Sequence, residues 1–165
     1  MDAALQRISE KIVYKNHDRD GDQKQLDTGI FPAIKARVRT QTLPLTGVCA
    51  AVFFCAAWSS RDVDAILAWF AADAVYHNMP IAPVRGHPEI RSVLEMFVPP
   101  ASEIEFEILA LASRGEVVFT ERVDRFTVGG KEIALPVAGV FEVRDGKIAA
   151  WRDYFDMASY QRQLG

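Results

Sequence analysis

An arginine and two aspartates of this chain are spaced so that they could form one buried acid–base site. Arg122 and Asp124 lie two residues apart in a segment, residues 116–128, whose apolar and polar side chains alternate as in a β-strand. Residues two apart in a strand point to the same face, so both charges interrupt an apolar stripe. Asp153 lies in a second such segment, residues 147–156, on the face that carries large aromatic residues. We expect the two segments to be neighbouring strands that bring the three charges together.

One cation shared by two buried carboxyl groups would make this site chemically active. Burying an unpaired charge is costly, so both aspartates would need Arg122 as their partner. In apolar surroundings, one carboxyl group then stays ionised and the other is pushed to hold its proton. The site would contain a base and an acid. The competing interpretation is an ion-pair network that only joins the strands.

A phenol and an amide form a second polar pair. Tyr76 and Asn78 share one face of a short predicted strand, residues 75–79, while His77 points to the other face. Together they can hold a water molecule, although a polar contact at the end of a sheet is the alternative. His77 and His87 are predicted to be surface or capping residues, because no cluster with metal-ligand spacing accompanies them.

Length and composition favour a single domain with a sizeable core. The chain has 165 residues, of which 50% are hydrophobic. Its net charge is -3, and its Lys and Arg residues are scattered among Asp and Glu without forming a basic stripe. Nucleic acid is therefore an unsuitable partner. The apolar run over residues 48–58 is shorter than the roughly 20 residues that cross a membrane, and it predicts a buried helix. Cys49 and Cys55 lie in this run and are predicted to be reduced, which favours the cytoplasm.

Motifs for most other chemistries are missing. The sequence has no Gly-x-Ser-x-Gly elbow, phosphate-binding glycine loop, dinucleotide fingerprint or zinc spacing. Asp18, Asp20 and Asp22 are spaced like the start of a calcium loop, but Gln23 and Gly29 stand where that loop needs Gly and Glu. We therefore expect no metal and no cofactor, and acid–base chemistry by side chains alone.

The elements that must position these residues follow an α+β order. Helices are predicted over residues 48–58, 62–72 and 88–98, and Ser59 and Asp62 are spaced as a capping box for the second helix. Strands are predicted over residues 75–79, 103–112, 116–128, 131–143 and 147–156, followed by a short helix. Short glycine-containing turns make the last four strands an antiparallel meander. Such a sheet can curve around helices as a cone with one deep pocket. Residues 1–46 lack a hydrophobic period and are predicted to be an extension to a catalytic domain over residues 47–165.

Three segments together resemble the limonene-1,2-epoxide hydrolases. They are Tyr76–Pro80 (Tyr-His-Asn-Met-Pro), Thr120–Asp124 (Thr-Glu-Arg-Val-Asp), and Gly146–Ala149 followed by Trp151–Asp156. The similarity runs from about Val48 to the C-terminus. It implies the nuclear transport factor 2-like cone fold, which ketosteroid isomerases and polyketide cyclases share.

The resemblance also implies a reaction and the residues that carry it. Asp153 would remove a proton from a water held by Tyr76 and Asn78, while Asp124 protonates the epoxide oxygen and Arg122 orients both carboxyl groups. The product would be a vicinal diol, formed in one concerted step without a covalent enzyme intermediate. The apolar wall of the pocket would include Phe126, Leu135, Val137 and Phe155. A homodimer is expected from the family.

Two other classes of protein remain open. A ketosteroid isomerase-like or polyketide cyclase-like enzyme of the same fold would use an Asp to move a proton beside a carbonyl group, and it needs no water site. A non-catalytic ligand-binding module of this fold needs no inward Asp-Arg-Asp set. Assays with epoxides and enones in parallel would distinguish these alternatives.

Overall fold

A computed structural model describes residues 45–165, which fall within one compact unit, residues 42–165. The helices are α1 (Leu45–Ala57), α2 (Val63–Leu67), α3 (Gly86–Phe97) and α4 (Met157–Leu164), with a 3-10 turn at Trp58–Ser60. The strands are β1 (Phe70–Asn78), β2 (Val84–Arg85), β3 (Ala101–Arg114), β4 (Val117–Val128), β5 (Lys131–Arg144) and β6 (Lys147–Tyr154). The aspartates at positions 18, 20 and 22 lie outside the described residues, and the predicted domain boundary after residue 46 stays a prediction.

Six strands form one curved, unclosed sheet in the order β2-β1-β6-β5-β4-β3. Strands β3 to β6 are paired antiparallel in sequence order, which confirms the predicted meander. Strand β1 runs parallel to β6, and the two-residue strand β2, which was not predicted, pairs with β1 at the edge. The α+β fold class expected from the sequence is therefore confirmed.

The second helix is much shorter than predicted. Helix α2 ends at Leu67, whereas the sequence predicted a helix over residues 62–72. Phe70 instead pairs with Ile148 of β6. The backbone of this segment therefore forms its hydrogen bonds with the sheet and not within a longer helix. The capping residue also differs, since Asp62 alone accepts the backbone N–H groups of residues 64 and 65. The hydroxyl of Ser59 donates to the carbonyl of residue 56.

The main core lies between α1 and the inner face of the sheet. Phe54 of α1 is fully buried, and its ring meets Trp151 of β6 edge-on with the ring centroids 4.8 Å apart. Phe70 and Phe141 make similar edge contacts with Phe54. Aromatic rings in this arrangement bury large apolar areas and gain from the positive ring edge meeting a negative ring face. This packing holds β6 in place beneath α1.

The apolar run over residues 48–58, predicted to be a buried helix, is largely helical. The run forms most of α1, in which Cys55 is buried, Cys49 is exposed and both thiols are free. None of the helices within residues 45–165 is long and apolar enough to cross a membrane.

Candidate active site

Strand β4 carries the arginine and the first aspartate on its inner face. Thr120, Arg122 and Asp124 are buried, with Arg122 only 1% exposed, while Glu121 and Arg125 between and beside them are exposed. The period of two expected from the sequence therefore holds through the charged part of this strand. Asp153 is buried in the same way on β6.

Arg122 bridges the two carboxyl groups. Its Nε donates to Oδ1 of Asp124 at 2.7 Å and its Nη2 to Oδ2 at 3.2 Å. The same Nη2 forms a short ion pair with Oδ2 of Asp153. The remaining Nη1 donates to the hydroxyl of Thr120 at 3.2 Å. The guanidinium group therefore faces an acceptor on each of its three nitrogen atoms, as a buried arginine requires.

The strands that carry these charges are not neighbours, contrary to the expectation from the sequence. Strand β5 lies between β4 and β6, and its Gly139 is in register with both Thr120 and Asp153. A Cβ atom at position 139 would lie 2.1 Å from Nη1 of Arg122 and 2.7 Å from the hydroxyl oxygen of Thr120. Arg122 therefore reaches across β5 through space that only glycine leaves open.

Aromatic rings enclose the guanidinium group and orient the second carboxylate. The central carbon of Arg122 lies 5.1 Å from the ring centre of Phe106, 5.8 Å from Phe141 and 5.6 Å from Trp151. These distances fall within the range of cation–π attraction, which offsets part of the lost hydration. The indole N–H of Trp151 also donates to Oδ1 of Asp153 at 2.6 Å. Both oxygens of Asp153 are therefore held by N–H donors.

The phenol and the amide lie beside this carboxylate. Asn78 is in register with Asp153 across the parallel β1–β6 pair, and its amide donates to the Tyr76 hydroxyl at 2.7 Å. The phenol proton remains available for another acceptor, as does the amide oxygen. His77 on the opposite face and His87 are only partly buried, and Nε2 of His87 lies 3.1 Å from the carbonyl oxygen of Phe70.

Burial shifts the titration of the groups at this site. It raises the pKa of Asp153 to about 6, a rise that Arg122 opposes and the charge of Asp124 increases. Burial also raises the pKa of Asp124 against the opposing effect of Arg122. Burial and the charge of Asp153 raise the pKa of Tyr76, so the phenol keeps its proton at neutral pH. Burial alone would lower the pKa of Arg122, but the two carboxylates raise it and Arg122 stays charged.

A cavity of about 780 Å³, measured to include its open mouth, leads to this site. Asp124, Asp153, Tyr76 and Asn78 line it, whereas Arg122 lies behind the carboxyl groups. All four predicted wall residues are found in the lining, namely Phe126, Leu135, Val137 and Phe155. The rest of the wall is mostly apolar and comes from residues that the sequence did not single out as wall residues: Trp58, Ile81, Phe97, Ala101, Ile104, Phe106, Val128, Trp151, Met157 and Tyr160.

Three contributors to the site had not been assigned a role from the sequence. Thr120 and Trp151 lie on the inner faces of β4 and β6, as alternation along a strand predicts, but their hydrogen bonds to Arg122 and Asp153 depend on side-chain geometry. Gly139 did carry a signal, because it is the one glycine in an inward series of bulky residues on β5. A glycine inside a strand often marks a close approach of another group. Within residues 45–165 no cluster of acidic, histidine or cysteine side chains could hold a metal ion.

Residues 46–164 match the family model of the limonene-1,2-epoxide hydrolase catalytic domain. The chain belongs to the limonene-1,2-epoxide hydrolase family. It is 35% identical to the epoxide hydrolase EphG of Mycobacterium tuberculosis over 104 residues, which cover 63% of this chain and 69% of that protein. These two findings support epoxide hydrolysis as the general activity of this family member.

Solved structures of other proteins have a similar fold. A limonene-1,2-epoxide hydrolase-like epoxide hydrolase of M. tuberculosis is 32% identical, with a TM-score of 0.65 over 73% of this chain and 90% of that chain. A putative SnoaL-like polyketide cyclase of Shewanella denitrificans is 16% identical, with a TM-score of 0.66 over 73% of this chain and 97% of that chain. The second similarity concerns the fold alone. Because one fold can host many activities, the chemistry of this chain has to be argued from its Asp-Arg-Asp set and its Tyr–Asn pair.

Proposed function

We propose that the chain hydrolyses a small apolar epoxide to a vicinal diol in one step, without a cofactor. The observation that carries this proposal is the bridge from Arg122 to both Asp124 and Asp153, whose carboxyl groups line a mostly apolar cavity. Both carboxyl groups face the cavity, and the arginine that joins them does not. A reacting molecule can thus meet an acid and a base at the same time.

Asp153 acts as the base in this proposal. Tyr76 and Asn78 lie beside it and leave a phenol proton and an amide oxygen free to hold a water molecule. With a pKa of about 6, Asp153 is mostly ionised at neutral pH and still basic enough to accept a proton. It removes a proton from the water as the water oxygen bonds to an epoxide carbon.

Asp124 acts as the acid. With both carboxyl groups ionised, the buried set of Arg122, Asp124 and Asp153 would carry one net negative charge, and one added proton makes it neutral. An apolar site favours the neutral set. Burial raises the pKa of both carboxyl groups, and markedly that of Asp153, so the proton is assigned to Asp124 because the phenol and amide that would hold the water lie beside Asp153, and not because of these shifts. As the C–O bond of the epoxide breaks, the proton of Asp124 passes to the leaving oxygen. The proton gained by Asp153 is afterwards exchanged with solvent, and Asp124 is protonated again.

The Tyr76–Asn78 pair favours this reaction over proton transfer beside a carbonyl group. An isomerase of the same fold takes a proton from carbon and gives it back, so it needs a base and an oxyanion donor but no bound water. In this chain a hydrogen-bonded phenol and amide stand next to the base. That arrangement suits a nucleophilic water.

Oxygen labelling tests both the reaction and its single step. The wild-type protein would be assayed with cyclohexene oxide and limonene-1,2-epoxide, and in parallel with a steroid enone. In a single turnover in ¹⁸O-water, we expect the diol to carry one labelled oxygen, because the water attacks directly. An unlabelled diol from the first turnover would indicate a covalent carboxylate ester. Turnover of the enone alone would replace the hydrolase with an isomerase.

We also propose the assembly and the compartment that the sequence suggested. The outer face of the sheet exposes Leu109, Phe119 and Tyr154, which a second copy of the chain would cover in a homodimer. Sedimentation equilibrium of the wild type should give twice the chain mass, and Phe119→Lys should shift the equilibrium to the monomer. The two free thiols suit a reducing cytoplasm.

A further inference from the structure

Trp151 is the middle ring of a stack of three aromatic rings on the inner face of the sheet. It is in register with Tyr76 of β1 on one side and with Phe141 of β5 on the other. Its ring is almost parallel to both, at 9° to Tyr76 and 10° to Phe141, with ring centroids 4.4 Å and 5.8 Å away. Only 1% of Trp151 is exposed, so its close-packed neighbours hold the ring in one orientation. The direction of its N–H group is therefore fixed.

The N–H group of Trp151 points at the proposed base. Its Nε1 donates to Oδ1 of Asp153 at 2.6 Å, while Arg122 donates to the other oxygen of that carboxyl group. A donor bonded to an ionised carboxyl group stabilises the ionised form. Trp58 provides a contrast, because it also lines the cavity but its indole N–H meets no acceptor within residues 45–165. The bond to Asp153 is thus a property of one of the two cavity tryptophans.

The other groups around Asp153 leave its charge finely balanced. Burial raises the pKa of Asp153, Arg122 opposes that rise, and the charge of Asp124 increases it. Tyr76 of β1 and Cys55 of α1 also face this carboxyl group. Burial raises the pKa of both, that of Cys55 to about 12, so neither carries a charge at neutral pH. Within residues 45–165, the charged groups that act on Asp153 are therefore one cation and one anion.

We propose that the indole N–H of Trp151 is a positioning group that keeps Asp153 ionised at neutral pH. The inference rests on the proposed hydrolysis and names a further residue on which its base depends. Arg122 donates to both Asp124 and Asp153, so its bonds do not favour one carboxyl group over the other. Trp151 donates to Asp153 alone among the described residues. Its N–H is the donor that serves the base and not the acid.

Replacement of Trp151 by 3-benzothienylalanine removes this hydrogen bond and keeps the stack. Sulfur takes the place of N–H in a ring of the same size, so the contact with Tyr76 is preserved. The pKa of Asp153 should rise by about one to two pH units, because a hydrogen bond to a buried charge contributes about that much. Carboxyl ¹³C NMR of aspartate-labelled protein would measure this titration, and Asp153→Asn would identify the resonance.

The rate profile of the same variant should move with that titration. The acidic limb of kcat/KM with cyclohexene oxide should shift to higher pH, and the rate at neutral pH should fall several-fold. The loss relative to the wild type should become smaller at alkaline pH, where Asp153 is ionised in both proteins. A residue that only packs the core would lower the rate by the same factor at every pH.

Two phenylalanine variants complete the test. Trp151→Phe also lacks the N–H group and should move the pKa of Asp153 in the same direction. Trp58→Phe is the matched control, because Trp58 meets Trp151 edge-on with the ring centroids 5.6 Å apart but does not bond to Asp153. Since Trp58 lines the cavity, the control is judged by the titration and not by the rate. It should leave the pKa of Asp153 and the acidic limb at their wild-type positions, and thermal melts would show that each variant is folded.

Two results would overturn the inference. An unchanged pKa of Asp153 in the folded benzothienylalanine variant would show that the N–H group does not hold the charge, whatever happens to the rate. An equal shift in Trp58→Phe would show that the titration responds to the loss of any indole at the cavity and not to this hydrogen bond.

The NMR titration separates this inference from the proposed hydrolysis, because it needs no substrate. If the wild type hydrolyses no epoxide, the proposed function is wrong, and the titration still supports or overturns the role of Trp151. If the wild type hydrolyses epoxides and the pKa of Asp153 does not depend on the N–H group, the inference about Trp151 fails alone.

Discussion

At the scale of single residues, Asp124 and Asp153 differ in their partners even though they share one arginine. Both oxygens of Asp153 accept N–H donors, from Trp151 and from Arg122, and its neighbours include Tyr76 and Asn78. Among residues 45–165, only Arg122 donates hydrogen bonds to the side chain of Asp124. Different surroundings of two carboxyl groups commonly separate an acid from a base in one site. The proposed roles follow this difference.

Asp124→Asn and Asp153→Asn test the shared step. Each change keeps the shape and removes one protonatable group, and we expect each to lower kcat by about 10² to 10⁴. The double variant should lose far less than the product of the two factors, because both groups act in one transition state. Steady-state kinetics with cyclohexene oxide would measure this. Glu121→Gln, on the outer face of the same strand, is the control and should stay near wild type. Near-normal hydrolysis by Asp124→Asn would rule out its role as the acid.

The pH dependence of hydrolysis should report the proposed base. The pKa of Asp153 is raised to about 6, so the carboxylate is ionised above that pH and protonated below it. A protonated base cannot accept the proton of water, and kcat/KM should therefore fall by about tenfold for each pH unit below this pKa. A rate profile with cyclohexene oxide would show the acidic limb. A limb close to the ordinary value of an aspartate, with full activity at pH 5, would contradict the assignment.

At the scale of elements, β5 separates the two strands that carry the charges. Its inward residues are bulky, apart from Gly139, where the guanidinium group of Arg122 crosses towards Asp153. The conformation of Gly139 lies outside the left-handed region, so alanine is acceptable to the backbone there and the obstacle is the side chain alone. A methyl group added at position 139 would therefore prevent Arg122 from bridging Asp124 and Asp153 in this geometry.

Gly139→Ala should displace the arginine and lower hydrolysis. A Cβ atom 2.1 Å from Nη1 forces Arg122 to move, and a misplacement of about 1 Å in a catalytic set can cost about 10²-fold in rate. Because Arg122 lowers the pKa of Asp153, its displacement should also move the acidic limb of the rate profile to higher pH. A purely structural effect would lower activity without moving that limb.

Gly47→Ala is the matched control for this change. A Cβ atom at position 47 would meet its nearest neighbours at 3.6 Å, which is an ordinary contact distance. This variant should keep both the rate and the limb of the wild type, with folding of both variants followed by thermal melts. Wild-type kinetics in Gly139→Ala would show that the glycine is not needed for the bridge.

At the scale of the whole molecule, every described residue of the proposed site lies within residues 58–160. The family model likewise begins at residue 46. Residues 1–46 were predicted to be an extension, and none of the predicted site residues lies in them. The proposed catalytic residues and the strands that position them all lie in the rest of the chain.

Deletion of residues 1–46 should therefore leave epoxide hydrolysis measurable. We expect kcat/KM for cyclohexene oxide to stay within about tenfold of the full-length value, since no proposed site residue is removed. Circular dichroism and a cooperative melt would establish that the shortened protein is folded. A folded protein without turnover would show that the extension contributes to the site.

Local sequence patterns were enough to predict which residues lie on which face of each strand. Alternation in β4 and β6 placed Arg122, Asp124 and Asp153 on inner faces, because side chains of a strand point to opposite sides in turn. The turns between the last four strands followed from their glycines, and the family followed from three short segments. These properties depend on residues that are close together in the sequence, so they can be predicted without knowledge of the tertiary contacts.

Tertiary structure alone decided the end of α2, the separation of the charged strands and the enclosure of the cavity. Helix α2 stops early because Phe70 pairs with a strand some eighty residues further along the chain. The arginine reaches Asp153 across β5 only because Gly139 lies between them, and the sequence does not show which side chain that glycine admits. The sequence also does not show that the buried indole N–H of Trp58 has no acceptor within residues 45–165. Contacts between residues distant in sequence depend on register and on free space, and neither can be read from local spacing.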